Sequence, residues 1–590
     1  MKKLIAVVLI SVIALCAFAA QFHTVPLGDS SYRIIRVAEL RGIIPSQSDV
    51  KPYTLNTVRS LLAQILNSDQ ISETERLEIN DVLKAFERKY GTATDNSMNG
   101  FLKKGNIGYS GSFGNLNFGV RVNSHNRVGI DSDKDKKLSS RNLATAFIMG
   151  DIKDVLSYDL NFSFVVDKLD SAAYNFNDFE FTSDGQYFLG TLNTVYDLYG
   201  EEGFGIGLST SPEITVSFFD DSLRILAGSY KRDWGSGINN LGLSGSAKKF
   251  EGFEIQYQPV EWFRFSSLVG SLGVTLFEKI YDPDVDLPTD SQTFDNNISI
   301  HRAEFTFGNF KANLFESVVW KKRFELSYLS PLSVYWIAQN FQGDWDTLLG
   351  GLDFSYRLPG IGRIYFGLAL DEFTADLKHF FTNPRNMLAF QGGMEIAINA
   401  LDYSLLTIQV TYVPPFFGTH CIESREAWGS GQYTLEYANG GKGLSYPINP
   451  DSLELLVSYA CSFKGGWSAQ LTVKDQVQSA QYTQRSGFDN TNHLTNAGLN
   501  LNDPMDYNAT YSFKEFFSFI WKNTLDADLT VRKSFEDYPF DLSAGVNVIA
   551  DWIKNFTKAD GANYGDKVTM GDWNSPYIRA LMKFGFSVYY

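Results

Sequence analysis

The stretch Leu156-Ser157-Tyr158-Asp159-Leu160-Asn161-Phe162-Ser163-Phe164-Val165-Val166 alternates apolar and polar residues almost without exception, Val165 being the one apolar intruder. A period of two is the period of a β-strand, whose side chains point to opposite faces in turn, so one face of this strand is greasy and the other wet. The pattern recurs. Leu116, Phe118, Val120 and Val122 alternate with Asn117, Gly119, Arg121 and Asn123; Leu406, Ile408, Val410 and Tyr412 alternate with Thr407, Gln409 and Thr411; Leu453, Leu455, Val457, Tyr459, Cys461 and Phe463 share one parity. Strands of soluble proteins centre on about five or six residues. These runs approach ten, the length that crosses a bilayer when tilted. A half-solvated soluble sheet would also alternate, but it does not explain the length.

The chain end extends the argument. Ile578, Ala580, Met582, Phe584, Phe586, Val588 and Tyr590 lie on one parity, with Arg579, Lys583, Gly585 and Ser587 on the other. On a soluble domain such a stripe would invite edge aggregation. In a closed barrel it faces lipid while the strand edge pairs with the first strand. It is also similar to the terminal strand of outer-membrane barrels, which implies recognition by the barrel assembly machinery through a strand ending in Tyr590. Residues 101–590, cut into strands of about ten with short and long connections, give roughly 16 to 20 strands and an even count. The polar segments 131–140, 281–297 and 480–506 read as surface loops.

Before the alternation begins the texture is different. Lys2 and Lys3 precede an apolar stretch, Leu4 to Phe18, closed by small residues, the layout of a secretory signal peptide over residues 1–20. Residues 21–95 carry helical spacings: Ile35, Val37 and Leu40 before Gly42; Val58, Leu61, Leu62 and Ile65; Leu77, Ile79, Val82 and Phe86. Ser72 and Glu75 have capping-box spacing. Three short helices follow, forming a segment too small to stand alone and expected to lean on the barrel.

Composition bounds the function. A net charge of -16 leaves no basic footprint for a nucleic-acid backbone. Past the signal only Cys421 and Cys461 remain, so no disulfide framework exists, and the lipid-facing parity of Cys461 argues against a bridge between them. The His residues at 23, 125, 301, 379, 420 and 493 show no paired metal spacing, there is no zinc-type His-Glu-x-x-His or nucleophile-elbow pattern, and nothing singles out an acidic pair for glycoside hydrolysis. Asp131, Asp133 and Asp135 have calcium-loop spacing, but Lys136 stands where Gly is needed and Asn142 where the closing acid belongs. No catalytic residue, metal site or cofactor is assigned.

Parity sorts the remaining chemistry. Leu352, Phe354, Tyr356 and Leu358 outward place Asp353, Ser355 and Arg357 inward; Ile364, Phe366 and Leu368 outward place Arg363, Tyr365 and Asp371 inward; Phe305 and Phe307 outward place Arg302 and Glu304 inward. An Arg at the lipid midplane would cost about 2 to 4 kcal/mol, which fixes the sense of the assignment. Mixed acids and arginines can cross-link a plugged lumen or line a water channel, and both readings stand. Asp233, Trp234 and Trp345 could stack on and hydrogen-bond sugars, because an aromatic face beside carboxylates suits a pyranose ring.

Trp234-Gly235-Ser236-Gly237 with Leu241 to Ala247, His301-Arg302, Tyr328-Leu329-Ser330-Pro331-Leu332, Gly343-Asp344-Trp345-Asp346, Gly351-Leu352-Asp353 and Leu370-Asp371-Glu372-Phe373, in that order, resemble the capsule assembly protein Wzi family. So does the start, Val25-Pro26-Leu27-Gly28 with Tyr32. The resemblance covers most of the mature chain, strongest from about residue 230 to 375. It implies an 18-stranded antiparallel outer-membrane β-barrel preceded by a periplasmic helical bundle, acting as a lectin that binds, attaches or helps assemble surface polysaccharide. A porin-like diffusion channel with a charged lumen is the alternative. On either reading the site candidates are Asp233, Trp234, Arg302, Glu304, Trp345, Asp353, Arg357 and Asp371, and the partners are surface polysaccharide and outer-membrane lipid, with no nucleic acid.

Overall fold

The computed structural model describes residues 23–90, 107–111, 114–134, 136–152, 155–169, 186–191, 203–219, 221–273, 296–321, 324–342, 346–371, 386–398, 403–414, 417–418, 421–422, 433–434, 437–439, 442–479, 513–535, 538–558 and 568–589. The proposed signal peptide, Trp345 and Tyr590 lie outside them, as do most of 281–297 and all of 480–506.

The chain closes into an antiparallel barrel of 18 strands. They are β1 Gly114–Asp131, β2 Lys136–Ile152, β3 Leu156–Leu169, β4 Gly203–Phe218, β5 Leu223–Tyr230, β6 Phe250–Val260, β7 Phe263–Leu272, β8 Asn296–Phe307 and β9 Phe310–Lys321. There follow β10 Asp346–Leu358, β11 Gly362–Leu370, β12 Leu388–Ile398, β13 Ser404–Val413, β14 Ser452–Phe463, β15 Trp467–Ser479, β16 Ile520–Ser534, β17 Phe540–Lys558 and β18 Tyr577–Tyr589. Each pairs with the next in sequence, and β18 closes on β1 through the register Val588↔Val122 to Arg579↔Asp131. Beyond the end of β18, residues Ile107–Gly111 continue its lane along β1, so the seam is not left bare.

The parity reading holds in the walls. Leu160, Phe162 and Phe164 of β3 point outward and stay 42% to 51% exposed, whereas the intruder Val165 points inward and is 1% exposed. A belt of Phe118, Leu160, Phe253, Leu314, Phe366 and Phe584 encircles the molecule, and no helix among the described residues is long and apolar enough to cross a membrane. Closure satisfies every ladder, which is what hydrocarbon demands of a spanning structure.

One outward-facing patch departs from the belt. Ser124 and Asn126 on β1 oppose Asn142 and Ser140 on β2. The Ser124 hydroxyl donates to Asn142 Oδ1 at 2.6 Å, Asn142 Nδ2 to Ser140 Oγ at 2.7 Å, Ser140 Oγ to Asn126 Oδ1 at 2.8 Å, and Asn126 Nδ2 back to Ser124 Oγ at 2.9 Å. The ring satisfies itself, and that makes it tolerable against lipid. It also corrects the loop expected over 131–140. Among the described residues of that span only 132–134 lie outside strands, and β2 begins at Lys136. Polarity does not mark a loop where a barrel strand is polar on both faces.

Short turns gather at one end of the barrel, such as 307–310, 358–362 and 463–467, and long connections at the other. The N-terminal helices α1 Ser31–Arg41, α2 Leu55–Leu66 and α3 Glu73–Tyr90 cap the short-turn end. Gly42 ends α1 in the left-handed region at φ 79°. The capping box forms as spaced: Ser72 N–H donates to Glu75 Oε2 at 2.7 Å and Glu75 N–H to Ser72 Oγ at 3.2 Å. Ile35, Leu40, Val58, Leu62, Ile79 and Phe86 form the bundle core with Ala397 and Tyr403 of the barrel rim. Leu77 does not join them and is 54% exposed. It lies two positions before Ile79, about 200° round the helix, and so on the opposite face.

Candidate functional site

The lumen is not an empty tube. Between β5 and β6 the chain 231–249 turns into the barrel, and Leu241 and Leu243 pack with Leu444, Tyr446 and Ile448 of the β13–β14 connection against inward-facing Leu268, Ile298, Ile300, Val319 and Leu349. These wall residues are apolar on the inward parity, because the lumen here is a protein core rather than water. Gln409 of β13 fastens the inserted chain as a backbone mimic. Its side-chain oxygen accepts from Ile238 N–H at 3.0 Å and its nitrogen donates to Ile238 O at 2.9 Å. Gly237, at φ 85°, sits so close that an added Cβ would run into Gln409 Oε1 and the Tyr365 ring. Glycine is required there.

Three of the residues singled out by parity meet beneath this insertion. Arg302, 1% exposed, lies 2.8 Å from Asp353 and 3.4 Å from Glu304. Asp353 also accepts from Asn313 Nδ2 at 2.7 Å and from Ser236 Oγ of the inserted chain at 3.1 Å. Glu304 accepts the backbone N–H of Asp49 at 3.0 Å, tying in the segment between α1 and α2.

Asp49 itself was carried by no sequence signal and is the hub. Its Oδ1 accepts from Arg36 at 3.0 Å and Arg363 at 3.1 Å, and its Oδ2 from Lys311 at 3.3 Å. Glu395 lies 2.7 Å from Arg363, and Glu39 2.7 Å from Arg36. Burial pushes the Asp49 carboxyl up, but Lys311, Arg363 and Arg36 outweigh it and hold it well below the usual carboxylate range. Cations and carboxylates are matched here, and the network's evident work is to lock the helical cap to the barrel.

The other candidates are dispersed. Trp234 is 2% exposed, its residue paired with Val50 in a two-stranded ladder, and its ring is packed into the lumen core. The cavity beside it, between Trp234, Ser236, Phe315 and Asp353, measures about 10 Å³, room for a water and not for a pyranose ring. Asp233 accepts from Asn240 Nδ2 at 2.7 Å and lies 3.5 Å from Lys51. Arg357 sits at the short-turn rim, donating to Asn309 and to the carbonyls of Glu39 and Ile44. Asp371 accepts from Gly418 N–H at 2.7 Å near the long-loop end.

The opposite wall is wetter, and the sequence marks only its Arg579 and Lys583, on the polar parity of the last strand. On β1 and β15 to β18 the inward residues His125 and Gln470 are exposed, and Arg127, Lys474, Asp528, Thr530 and Lys583 are half-buried. Lys583 pairs with Asp528, and Arg579 lies 2.6 Å from Asp551. This is the polar, accessible face of the lumen. Among the described residues no group of His, Cys, Asp and Glu is arranged to hold a metal ion. Asp131 accepts instead from the Tyr577 hydroxyl at 2.8 Å. Cys461 is a free, buried thiol; the side chain of Cys421 lies outside the described residues.

No protein-family model and no curated protein matches the sequence. Among solved structures the chain is similar to Wzi of Escherichia coli, an outer-membrane protein involved in group 1 capsule assembly and described as a carbohydrate-binding β-barrel. The TM-score is 0.50 at 10% identity, over 96% of this chain and 99% of that one. It is also similar to OpdK of Pseudomonas aeruginosa, with a TM-score of 0.38 and 10% identity over 80% and 98%, and to OccAB2 of Acinetobacter baumannii, with a TM-score of 0.39 and 8% identity over 80% and 97%. What is shared at this identity is the fold, an outer-membrane β-barrel.

Proposed function

We propose that this protein is a non-enzymatic barrel of the Wzi type, seated in the outer membrane with its helical cap in the periplasm, that binds surface polysaccharide and helps attach or assemble it. The observation that carries the proposal is the packed insertion: chain 231–249 and residues 444–448 fill one side of the lumen with an apolar core, anchored by Gln409. Such a core narrows any path for solutes and gives a binder a rigid frame on which its loops are held. The whole-length likeness to a carbohydrate-binding barrel points the same way. The polar wall bearing His125, Gln470 and Lys583 supplies the amide and charged groups that hydrated sugars engage.

The test is binding of the purified full-length protein in detergent to capsular and exopolysaccharide fractions and to a glycan array. Saturable binding supports the proposal, and its absence with every surface glycan overturns it. That same half-open wall favours the second reading, a porin-like channel, which requires stepwise conductance in planar bilayers.

A further inference from the structure

Outside the barrel, the β9–β10 connection does something the lumen does not explain. On the outward parity of β7, β8 and β9, where Phe263, Phe305 and Leu314 mark the lipid belt, there also stand Ser267, Ser299, His301 and Glu316. His301 is the cross-strand partner of both Ser267 and Glu316. Ser299 and His301 lie six to eight residues above Phe307 at the short-turn end. With a rise of about 3.3 Å per residue and a tilt of about 40°, that is roughly 15 to 20 Å up a hydrocarbon band about 25 Å tall. Bare in lipid, these polar groups would cost several kcal/mol each at order of magnitude.

They are not bare. The connection folds back down the outer wall as two short helices, α4 Leu326–Leu329 and α5 Tyr335–Gln342. Ser299 Oγ donates to Tyr328 O at 2.6 Å, Tyr335 N–H donates to Glu316 Oε1 at 3.0 Å, and the Tyr335 hydroxyl lies 2.6 Å from His301 Nε2 with the two rings stacked. Tyr328 and Tyr335 pack with outward-facing Val318 and Trp320, all fully buried. His301, Glu316 and a serine have the composition of a hydrolase triad, but the imidazole nitrogen that would serve as base is held by Tyr335.

The far face of this hairpin is apolar and uncovered. Phe324, Leu332 and Phe341 are 80% to 87% exposed, with Leu326, Trp336 and Ile337 beside them. From Phe324 to Gln342 the only charged residue is Glu325, and its carboxylate accepts from Ser327. We propose that the hairpin Phe324–Gln342 is a membrane element: it seals the polar patch of the wall and presents its own apolar face to the acyl chains of the outer leaflet. Two features commit it to lipid. It stands on the lipid-facing side of the wall, seated on Glu316 one outward position beyond the belt residue Leu314, and its exposed face carries no charge that a water-facing or protein-facing patch would show. This rests on the outer-membrane barrel reading but not on glycan binding.

The experiment places a nitroxide at Leu332→Cys and Phe341→Cys in the full chain freed of Cys421 and Cys461, reconstituted in phospholipid vesicles. Leu314→Cys is the lipid-wall reference and His125→Cys the lumen reference. Heat-modifiable mobility checks that each variant folds. Collisions with oxygen should dominate those with a nickel chelate at both hairpin sites, as at Leu314, with the reverse at His125. Nickel access at the hairpin with Leu314 dry overturns the proposal while leaving the barrel standing. Dipolar broadening between hairpin labels overturns it in favour of a second copy as the occupant. Nickel access at Leu314 itself overturns the barrel reading along with it.

Discussion

Asp49 and Arg363, 314 positions apart in the chain, meet at 3.1 Å inside the short-turn mouth of the barrel. One comes from the segment after α1 and the other from β11, so this contact couples the helical cap to the wall. Asp49→Ala should leave Arg36, Lys311 and Arg363 without the carboxylate they share. Removing one member of a buried charge network costs about 3 to 5 kcal/mol. Limited proteolysis of native micelles should then cut within residues 23–90 while the barrel keeps its heat-modifiable mobility. Unchanged protection would remove Asp49 from the role of hub.

Docking of the cap should also depend on pH, through two groups acting in different windows. Burial, with Arg121 and Arg59, lowers the His23 imidazole from 6.5 to about 3. The docked state therefore refuses a proton that the undocked segment accepts below pH 6.5, so docking weakens as pH falls from 6.5 towards 3, at up to about 1.4 kcal/mol per unit. Asp49 behaves as a depressed acid: its contribution is whole above 3.8 and is lost only as pH falls through its lower docked value. Protection factors of α1 to α3, with exchange referred to the intrinsic amide rate at each pH, should fall between pH 6 and 4 in the parent. His23→Leu should flatten that interval, and a parent profile already flat there would contradict the assignment.

The lipid-facing ring of Ser124, Asn126, Ser140 and Asn142 makes a sharper prediction than any single hydrogen bond. Asn142→Ala removes an acceptor and a donor together and leaves Ser124 and Ser140 each short of a partner in hydrocarbon. It should cost about 1 to 3 kcal/mol in equilibrium unfolding. Replacing all four residues by Ala and Val should recover most of the loss, because nothing polar is then left unpaired.

Parity is testable at adjacent residues of β14. Val457 faces outward, while Ser458 faces the lumen with its hydroxyl 3.1 Å from Thr472 Oγ1. Val457→Arg should cost about 2 to 4 kcal/mol at the midplane and impair assembly, and Ser458→Arg should be far milder. Similar yields of folded barrel from both would contradict the sidedness.

How much of this was legible follows from the physics of each part. Alternation such as Leu160-Asn161-Phe162 is written residue by residue, because each strand must face lipid on one side, and so the barrel was readable. Amphipathic spacing placed α1 to α3, with Leu77 misassigned because it lies near an apolar run without sharing its face. Parity places Arg302, Glu304 and Asp353 inward, but the tie from Glu304 to Asp49 is not readable from it. That acid sits in an unpatterned stretch, and its partners come from β9 and β11. Ile298, Ile300 and Leu349 are apolar on the inward parity because chain 231–249 fills the lumen beside them. A strand's own sequence cannot say what lies in the space it encloses. The wetness of the wall with His125 and Gln470 is not legible for the converse reason, since polar inward residues look the same whether they touch water or protein.

The chain packed into one side of the lumen is proposed to serve binding rather than permeation. Single-channel recording in planar bilayers tests it most directly, with Gln409→Ala combined with Gly237→Val as the unfastened control. The parent protein should insert and stay electrically silent while the double variant shows conductance steps. Regular steps from the parent, equal to those of the unfastened variant, would contradict the account.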